Sequence, residues 1–334
     1  MLNEIKLNMN EMPYLPPREV IEAAQKGLSN LNRYANPKDL ELLREFLANY
    51  SGVSKKNIIL SAGSDHLLRE IIHVLSRKRK VIMVNPSFFP TVQCAKEFVT
   101  KLIKIQLRPP EFNLDADIIT NEINEPSLVI IDNPNNPTGK TLIDKEMVKI
   151  ILENKNVLLV VDEAYYEFSG VTFADMVEEH SNLSVVRTLD KAFGLAGARI
   201  GYLIAGEDFL DAFSTFHAFL PQSSLYSAME AVKDPSYIQK NIERTIKERE
   251  RVRKKLEEMG LQVCPSTTNF LLIKTNISSV ARELKDRGIL VFDLSNQWLP
   301  GYIRVSMGTP KENNIFLSSM KEILKAYTQG SSKI

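Results

Sequence analysis

The stretch SLVIIDNPNNPTGK at residues 127–140, with VLLVVDEAYYEF at 157–168 and LSVVRTLDKAFGLAGARIGYLIAG at 183–206, decides the fold. Each opens on a short, largely apolar run rich in β-branched residues and then turns abruptly polar. Such a run reads as a strand buried on both faces, the habit of parallel sheets covered by crossover helices. Outward from there, NIILSAG (57–63) and VIMVNP (81–86) repeat the pattern, and HLLREIIHVLS (66–76) between them has helical periodicity. The expectation is an α/β protein with a mostly parallel central sheet and helices on both faces. Its polar residues gather where the apolar runs end, in SAGSD, NPSF, DNPNNPTG, DEAYYEF and TLDKAFG, and open α/β sheets bind ligands at the carboxyl ends of their strands.

Beyond about residue 235 the character changes. IERTIKERERVRKKLEEMG (242–260) reads as a helix with a solvated charged face that stops at a glycine. NFLLIKT, VARELKDRG, ILVFDLS, YIRVSMG and KENNIFLSSMKEILKAY then mix strand and helix as a smaller α+β unit would. With 334 residues and 44% hydrophobic content, two domains are expected. The large ligand-binding α/β domain is placed at 28–225, and residues 1–27 and 226–334 form the small domain with its amino-terminal arm. There is no internal repeat and no low-complexity segment.

Lys plus Arg number 42 and Asp plus Glu 41, a balance that gives no reason to expect nucleic acid or an anionic membrane as partner. Cys94 and Cys264 are far apart and have no His cluster beside them, so neither a disulfide framework nor a metal site is expected. No segment reads as a leader and no apolar run approaches the length of a membrane span, so a soluble, unprocessed cytoplasmic protein is expected.

The chemistry-bearing residues form a set. Lys191 follows the strand-like LSVVRT, and burial makes a lysine a usable nucleophile by disfavouring its charged form. Asp162 ends VLLVVD, so its carboxylate emerges at the ligand edge, although alone it reads equally as a cap on the next helix. Tyr165 and Asn136 offer hydrogen-bonding groups, while NPNNPTG by itself is only a turn rich in Pro and Asn. Thr188 and Arg199 flank Lys191 and can reach a phosphate. SAGSD opens a helix whose first amides and dipole make an anion site at Ser64 and Asp65, a role that coexists with ordinary N-capping. Phe88 can stack on a ring, although a lone Phe after a strand is more often core. An amine, an acid for a pyridine nitrogen, partners for a phenolic oxygen, a stacking face and phosphate ligands are the requirements of pyridoxal 5'-phosphate (PLP).

TLDKAFGLAGARIGY, DNPNNPTGK, VVDEAYYEF, LNMNEMPY, RYANPKDLELLREFL and YIRVSMGT occur in a fixed order from about residue 7 to about residue 326. On these motifs the chain resembles the fold-type I PLP-dependent transferases (class I/II aminotransferases), and among them the histidinol-phosphate aminotransferase group. The resemblance implies that Lys191 holds PLP as an imine and serves as the catalytic base. It implies that Asp162 pairs with the pyridine nitrogen, Asn136 and Tyr165 hold the phenolic oxygen, and Phe88 stacks on the ring. Thr188, Arg199 and the amides of Ser64 and Asp65 would bind the phosphate. It further implies a homodimer in which Tyr34 reaches the neighbouring subunit's cofactor phosphate, with Arg304 and Asn136 binding substrate and Tyr14 closing over it. The implied reaction moves an amino group from histidinol phosphate, or an aromatic or other amino acid, to a 2-oxo acid such as 2-oxoglutarate.

Related threonine-phosphate decarboxylases share most of these residues, so decarboxylation is the alternative, and a non-catalytic ligand binder of the same fold is a further one. A nicotinamide dehydrogenase is disfavoured because no G-x-G-x-x-G follows the first strand, and a P-loop enzyme because Gly139-Lys140 lacks the upstream glycine. Three positions depart from the family pattern. Phe292 stands where histidinol-phosphate aminotransferases usually carry a second arginine, Asp190 where the family usually has Ser, and PQSSLYS (221–227) replaces a P-Y-N-V type string. The first removes a bidentate phosphate partner and suggests a donor with a single carboxylate. The Asp190 carboxylate, which would repel a phosphate, is expected to point away from it.

Overall fold

The computed structural model describes residues 4–277, 279–295 and 299–331; the ends of the chain, part of the expected small domain, lie outside them. Among the described residues twelve strands fall into two sheets. In chain order they are β1 (Ile5–Leu7), β2 (Ile58–Ser61), β3 (Lys80–Asn85), β4 (Leu102–Gln106), β5 (Ser127–Asp132), β6 (Val157–Asp162), β7 (Leu183–Thr188), β8 (Gly201–Ala205), β9 (Gln262–Val263), β10 (Phe270–Lys274), β11 (Ile289–Asp293) and β12 (Tyr302–Ser306).

The seven-stranded sheet runs β2-β8-β7-β6-β5-β3-β4. Its pairs from β4 through β7 are parallel, and β8 is antiparallel to both its neighbours. Every residue of β3, β5, β6 and β7 is buried, as their continuous apolar runs require. Strand alternation sends Val129, Ile131, Leu159 and Val161 into one apolar cluster and Leu128, Ile130, Leu158 and Val160 into another, so helices cover both faces. β4 was not expected from the sequence. LIKIQ alternates apolar with polar residues and lies at the sheet edge, half solvated, where the continuous-run signal is absent.

The five-stranded sheet runs β1-β11-β12-β10-β9, so the amino-terminal strand joins elements from the far end of the chain. β1 is parallel to β11 and the other pairs are antiparallel. Leu271, Ile273, Ile303 and Val305 build its own apolar cluster. The alternate residues of β12, Tyr302 and Arg304, emerge on the opposite face, towards the larger sheet.

The helix Ser236–Glu258 corrects the expectation of a simply solvated charged face. Its Ile238 and Ile242 enter the large cluster, its Val252 and Leu256 enter the small one, and the charged Glu248 and Arg249 are buried between them. Arg249 donates to the Thr268 carbonyl at 2.7 Å, and Glu248 accepts from Arg251 and Asn313. A charge pattern alone does not distinguish such buried, hydrogen-bonded members from the solvated ones.

Directly behind the carboxyl ends of β6 and β7 lies a buried ion pair. Arg187 Nε donates to Glu163 Oε2 at 3.0 Å, while Thr172 donates to the same carboxylate and accepts from Arg187 Nη2. Both side chains are essentially inaccessible. A buried charge stripped of its partner costs about 3–5 kcal/mol, more than an intact pair contributes over an apolar replacement. Arg187→Met is therefore expected to lower the unfolding free energy in urea by about that amount, with Glu163→Leu/Arg187→Met costing less than the two single changes added. Additive costs would count against this pairing.

Candidate active site

The strands β3, β5, β6 and β7 end at one edge, and the smaller sheet faces that edge across a cavity of about 380 Å³. Ser64, Asp65, Phe88, Asn136, Asp162, Tyr165, Lys191, Arg199 and Arg304 line it, together with Met9, Asn10, Asp132, Asp190 and Phe292. Nine residues given cofactor or substrate roles from the sequence are thus brought to one place, and so are Asp190 and Phe292, the two single-residue departures from the family pattern.

Asp132 and Asp162 are the last residues of β5 and β6 and are paired in register. Both are buried. Asp132 accepts from Ser87 Oγ at 2.8 Å, Asn135 Nδ2 at 3.0 Å and the Asn136 amide at 2.8 Å. Burial still pushes its carboxyl up to about 6. Asp162 accepts from the Ala164 amide at 3.1 Å, but the helix that follows begins at Tyr166 with no side-chain cap, so the simpler reading of Asp162 as a cap on that helix is not what the structure has. Burial, reinforced by the neighbouring Asp132, pushes its carboxyl up to about 7.

The Asp132 bonds fix the loop that follows β5. Asn136 Oδ1 then accepts from Arg304 Nη1 at 2.6 Å, tying that loop to the smaller sheet. Arg304 Nη2 donates to the Asn8 carbonyl at 2.6 Å, and its Nε is buried with no partner. The guanidinium lies 4.5 Å from the centre of the Phe292 ring and 5.5 Å from that of Phe270. Phe292 faces Arg304 directly across the β11–β12 pair. Arg304 forms no salt bridge among the described residues: it is buried and both its hydrogen bonds go to neutral oxygens. Burial lowers it to about 10, so it stays cationic at neutral pH.

The Tyr165 hydroxyl accepts from Asn10 Nδ2 at 2.8 Å. Asn10 is held by Ser306 through its amide and its Oδ1, and by Asn269 through its carbonyl. Lys191 Nζ donates to the Met9 carbonyl at 3.4 Å and lies 5.9 Å from the centre of the Tyr165 ring.

At the other end of the cavity the helix Ser64–Leu75 begins. Its N-cap is Gly63, so no side chain caps its first amides, and the N-capping alternative for Ser64 and Asp65 is not what the structure has. Gly63 has φ +100°, and a Cβ there would collide with the Arg199 guanidinium. A Cβ on Gly201 would collide with the Gly63–Ser64 backbone. Two glycines thus let an arginine, a strand and a helix amino terminus close on one point, a cradle of the kind that anions occupy.

Three expectations fare differently. Thr188 is buried beneath the cavity, donating to the Ile200 carbonyl and accepting from the Asp190 amide. Tyr34 is 83% exposed and packs on Phe219, 5.3 Å between ring centres, away from the cavity. Tyr14 is half-buried over Arg244, and the amino-terminal segment lines the cavity with Met9 and Asn10 instead. Asp190 is a correction. It does not point away: it is buried, lines the cavity and pairs with Arg199 Nη1, while Arg199 Nη2 pairs with Asp65. The guanidinium beside it makes the inward position tolerable. Asp132 and Asn10 were missed. The signal for Asp132 was its place at the end of SLVIID, equivalent to that of Asp162 in VLLVVD.

Among the described residues no cluster of His, Cys, Asp or Glu suits a metal ion, both cysteines are buried and free, and no helix is long and apolar enough to cross a membrane.

A mostly parallel sheet gathers a lysine and two buried carboxylates at its strand ends, and a second sheet sets a buried guanidinium opposite them. The family model of aminotransferase class I and II matches residues 3–320, and the chain belongs to that family. It is 35% identical to the histidinol-phosphate aminotransferase of Sulfurisphaera tokodaii, over 98% of this chain and 92% of that one. It is 37% identical to that of Thermoanaerobacter pseudethanolicus, over 96% and 93%. The fold matches the crystal structure of histidinol-phosphate aminotransferase from Sinorhizobium meliloti in complex with pyridoxal 5'-phosphate, with a TM-score of 0.86, 24% identity and coverage of 97% of this chain and 91% of that one.

The raised carboxyl of Asp162 makes stability depend on pH. Between the usual carboxylate value near about 4 and the folded value, the folded protein holds a proton that the unfolded chain releases, so stability falls as pH rises through that window. For the cofactor-free protein, the loss of urea stability between about pH 4 and about pH 7 is expected to be smaller in Asp162→Asn than in the unmutated chain. Equal losses would contradict the assignment.

Proposed function

We propose that this chain is a PLP-dependent aminotransferase, a homodimer of the cytoplasm that transfers an amino group from a small anionic donor to a 2-oxo acid. The observation that carries the reading is the convergence of Lys191, Asp162, Tyr165, Asn136 and Arg304 on one cavity, in a member of the aminotransferase family. The residues fit the cofactor. The glycine-built cradle beside Arg199, Ser64 and Asp65 suits its phosphate, Phe88 lines the wall where its ring would lie, and the buried Asp162 suits its pyridine nitrogen. When bound, PLP supplies an electron sink for the bond broken at the donor's α-carbon.

The protein's own residues do the rest. Asp162, whose carboxyl alone favours its proton, becomes a carboxylate when a cationic ring nitrogen faces it, and so holds a proton on that nitrogen. Asn136 spends its carbonyl on Arg304 and keeps Nδ2 to donate to the phenolic oxygen. Tyr165 receives a bond from Asn10 and keeps its own proton to donate. Lys191 Nζ, beside the Met9 carbonyl, is the amine that would hold the cofactor and the base that would move the proton at the donor's α-carbon. Tyr34 is exposed and so open to a second copy of the chain.

Arg304 selects the donor. It is one desolvated guanidinium with aromatic faces beside it and a buried Nε awaiting an acceptor. A carboxylate satisfies it bidentately, whereas a phosphate dianion needs more positive charge than Arg304 supplies. The reading is therefore a donor with one carboxylate, with an aromatic amino acid suited to the Phe292 wall, rather than the histidinol phosphate of the relatives' names.

Two measurements test this. Reconstitution with PLP is expected to give a visible absorbance band that Lys191→Ala lacks, and no band in the unmutated protein, or persistence in the variant, would overturn the cofactor assignment. Phe292→Arg is expected to raise kcat/KM for histidinol phosphate by about tenfold or more and to lower it for phenylalanine. Turnover of histidinol phosphate by the unmutated enzyme with 2-oxoglutarate at about 10 per second or faster would contradict the donor reading.

A further inference from the structure

Asp190 stands beside Arg199, Ser64 and Asp65, the residues of the proposed phosphate cradle, and its two oxygens are treated differently. Oδ2 accepts from Arg199 Nη1, while Oδ1 is buried without a hydrogen-bond partner. The residue is only 5% exposed, and its amide is fixed by the Thr188 hydroxyl at 3.1 Å, so the carboxyl group is held at the cavity wall. Arg199 is already divided, because its other amino group serves Asp65. The charged groups that face Asp190 are Arg199, Lys191 and Asp65, and the neutral Thr188 hydroxyl beside it accepts from its amide and donates to the Ile200 carbonyl.

A phosphate dianion entering this corner places a third anionic group around one guanidinium and one helix amino terminus. Arg199 cannot neutralise all three. The orphaned Oδ1 is an acceptor, so it satisfies nothing on a fully ionised phosphate and satisfies a P–OH group well. A carboxylate and a phosphate oxygen that share one proton turn a repulsion into a charge-assisted hydrogen bond.

We propose that Asp190 makes phosphate binding in this cavity take up one proton, shared between a phosphate oxygen and the Asp190 carboxylate. The balance is simple: a free dianion and one proton from solvent combine on the protein, and no other bond forms or breaks. Burial already holds the Asp190 carboxyl above its usual range, which favours the same proton. The consequence is a cofactor that is held less tightly as pH rises. This inference rests on the cofactor reading above but is separable from it.

The test is calorimetric titration of the cofactor-free protein with pyridoxamine phosphate, which has no aldehyde to react with Lys191. At about pH 8 the free phosphate, with its second pKa near about 6, is a dianion. Measured in buffers of different ionisation enthalpy, the unmutated protein is expected to take up about one more proton per site than Asp190→Ser or the isosteric Asp190→Asn. Its affinity is expected to fall by about tenfold per pH unit more steeply than theirs. The ³¹P resonance of the bound phosphate in the unmutated protein, which needs no variant, is expected to report the protonated form. Binding with equal proton counts, or a dianionic ³¹P signal, overturns this inference and leaves the cofactor reading standing. No binding of pyridoxamine phosphate overturns both.

Discussion

Two carboxylates, Asp132 and Asp162, end adjacent parallel strands in register and are buried side by side. Such an arrangement is unfavourable in itself, since each loses hydration and each raises the cost of ionising the other. It becomes tolerable because the two are unequally served. Asp132 collects three donors, from Ser87, Asn135 and the Asn136 amide, while Asp162 has the Ala164 amide. Asp132 is therefore the fixed member of the pair and Asp162 the responsive one, free to take its charge state from whatever faces it.

The donors that Asp132 draws in shape everything beyond the sheet edge. They hold the Asn135–Asn136 loop so that the Asn136 carbonyl meets Arg304, and Arg304 in turn reaches Asn8. Asn10, two residues on, bonds Tyr165 while Ser306 of the smaller sheet and Asn269, just ahead of β10, hold it. The two sheets thus meet at the cavity through a continuous hydrogen-bonded path. Each link needs its neighbour, because a buried donor or acceptor left alone costs about 1–3 kcal/mol. That interdependence fixes side-chain positions more tightly than apolar packing would, and position is what a proton-transfer site requires.

Much of this was legible in the sequence. Continuous apolar runs gave the buried parallel strands, and the abrupt polar turns after them located Asp162, Asn136, Lys191 and Ser64 at one edge. Arg304 followed from the likeness of YIRVSMGT to the family's motif, and the structure adds that alternation along the strand sends Ile303 and Val305 into one cluster and Arg304 to the other face. What was hidden has physical reasons. β4 is amphipathic and at an edge, so it lacks the buried-strand pattern. Asn10 rather than Tyr14 meets the cavity because the segment turns there through a positive φ of 54°, which an asparagine signals only weakly. The inward Asp190 depends on Arg199 approaching from across the turn, a tertiary pairing that no local pattern carries.

The charges of the cavity complete the argument. Lys191, Arg199 and Arg304 line it with Asp65, Asp132, Asp162 and Asp190, so fully ionised groups would leave a net negative site even before an anionic ligand enters. The second guanidinium that Phe292 replaces would have restored the balance. Its absence makes each remaining cation matter at one place only: Arg199 at the helix amino terminus and Arg304 between two aromatic rings, neither able to assist the other. Under those conditions the acids, rather than the bases, adjust to a ligand by holding or releasing protons. On the proposed reading such a site distinguishes its ligands by how many negative charges they bring, with Phe292 bearing on the donor and Asp190 on the cofactor.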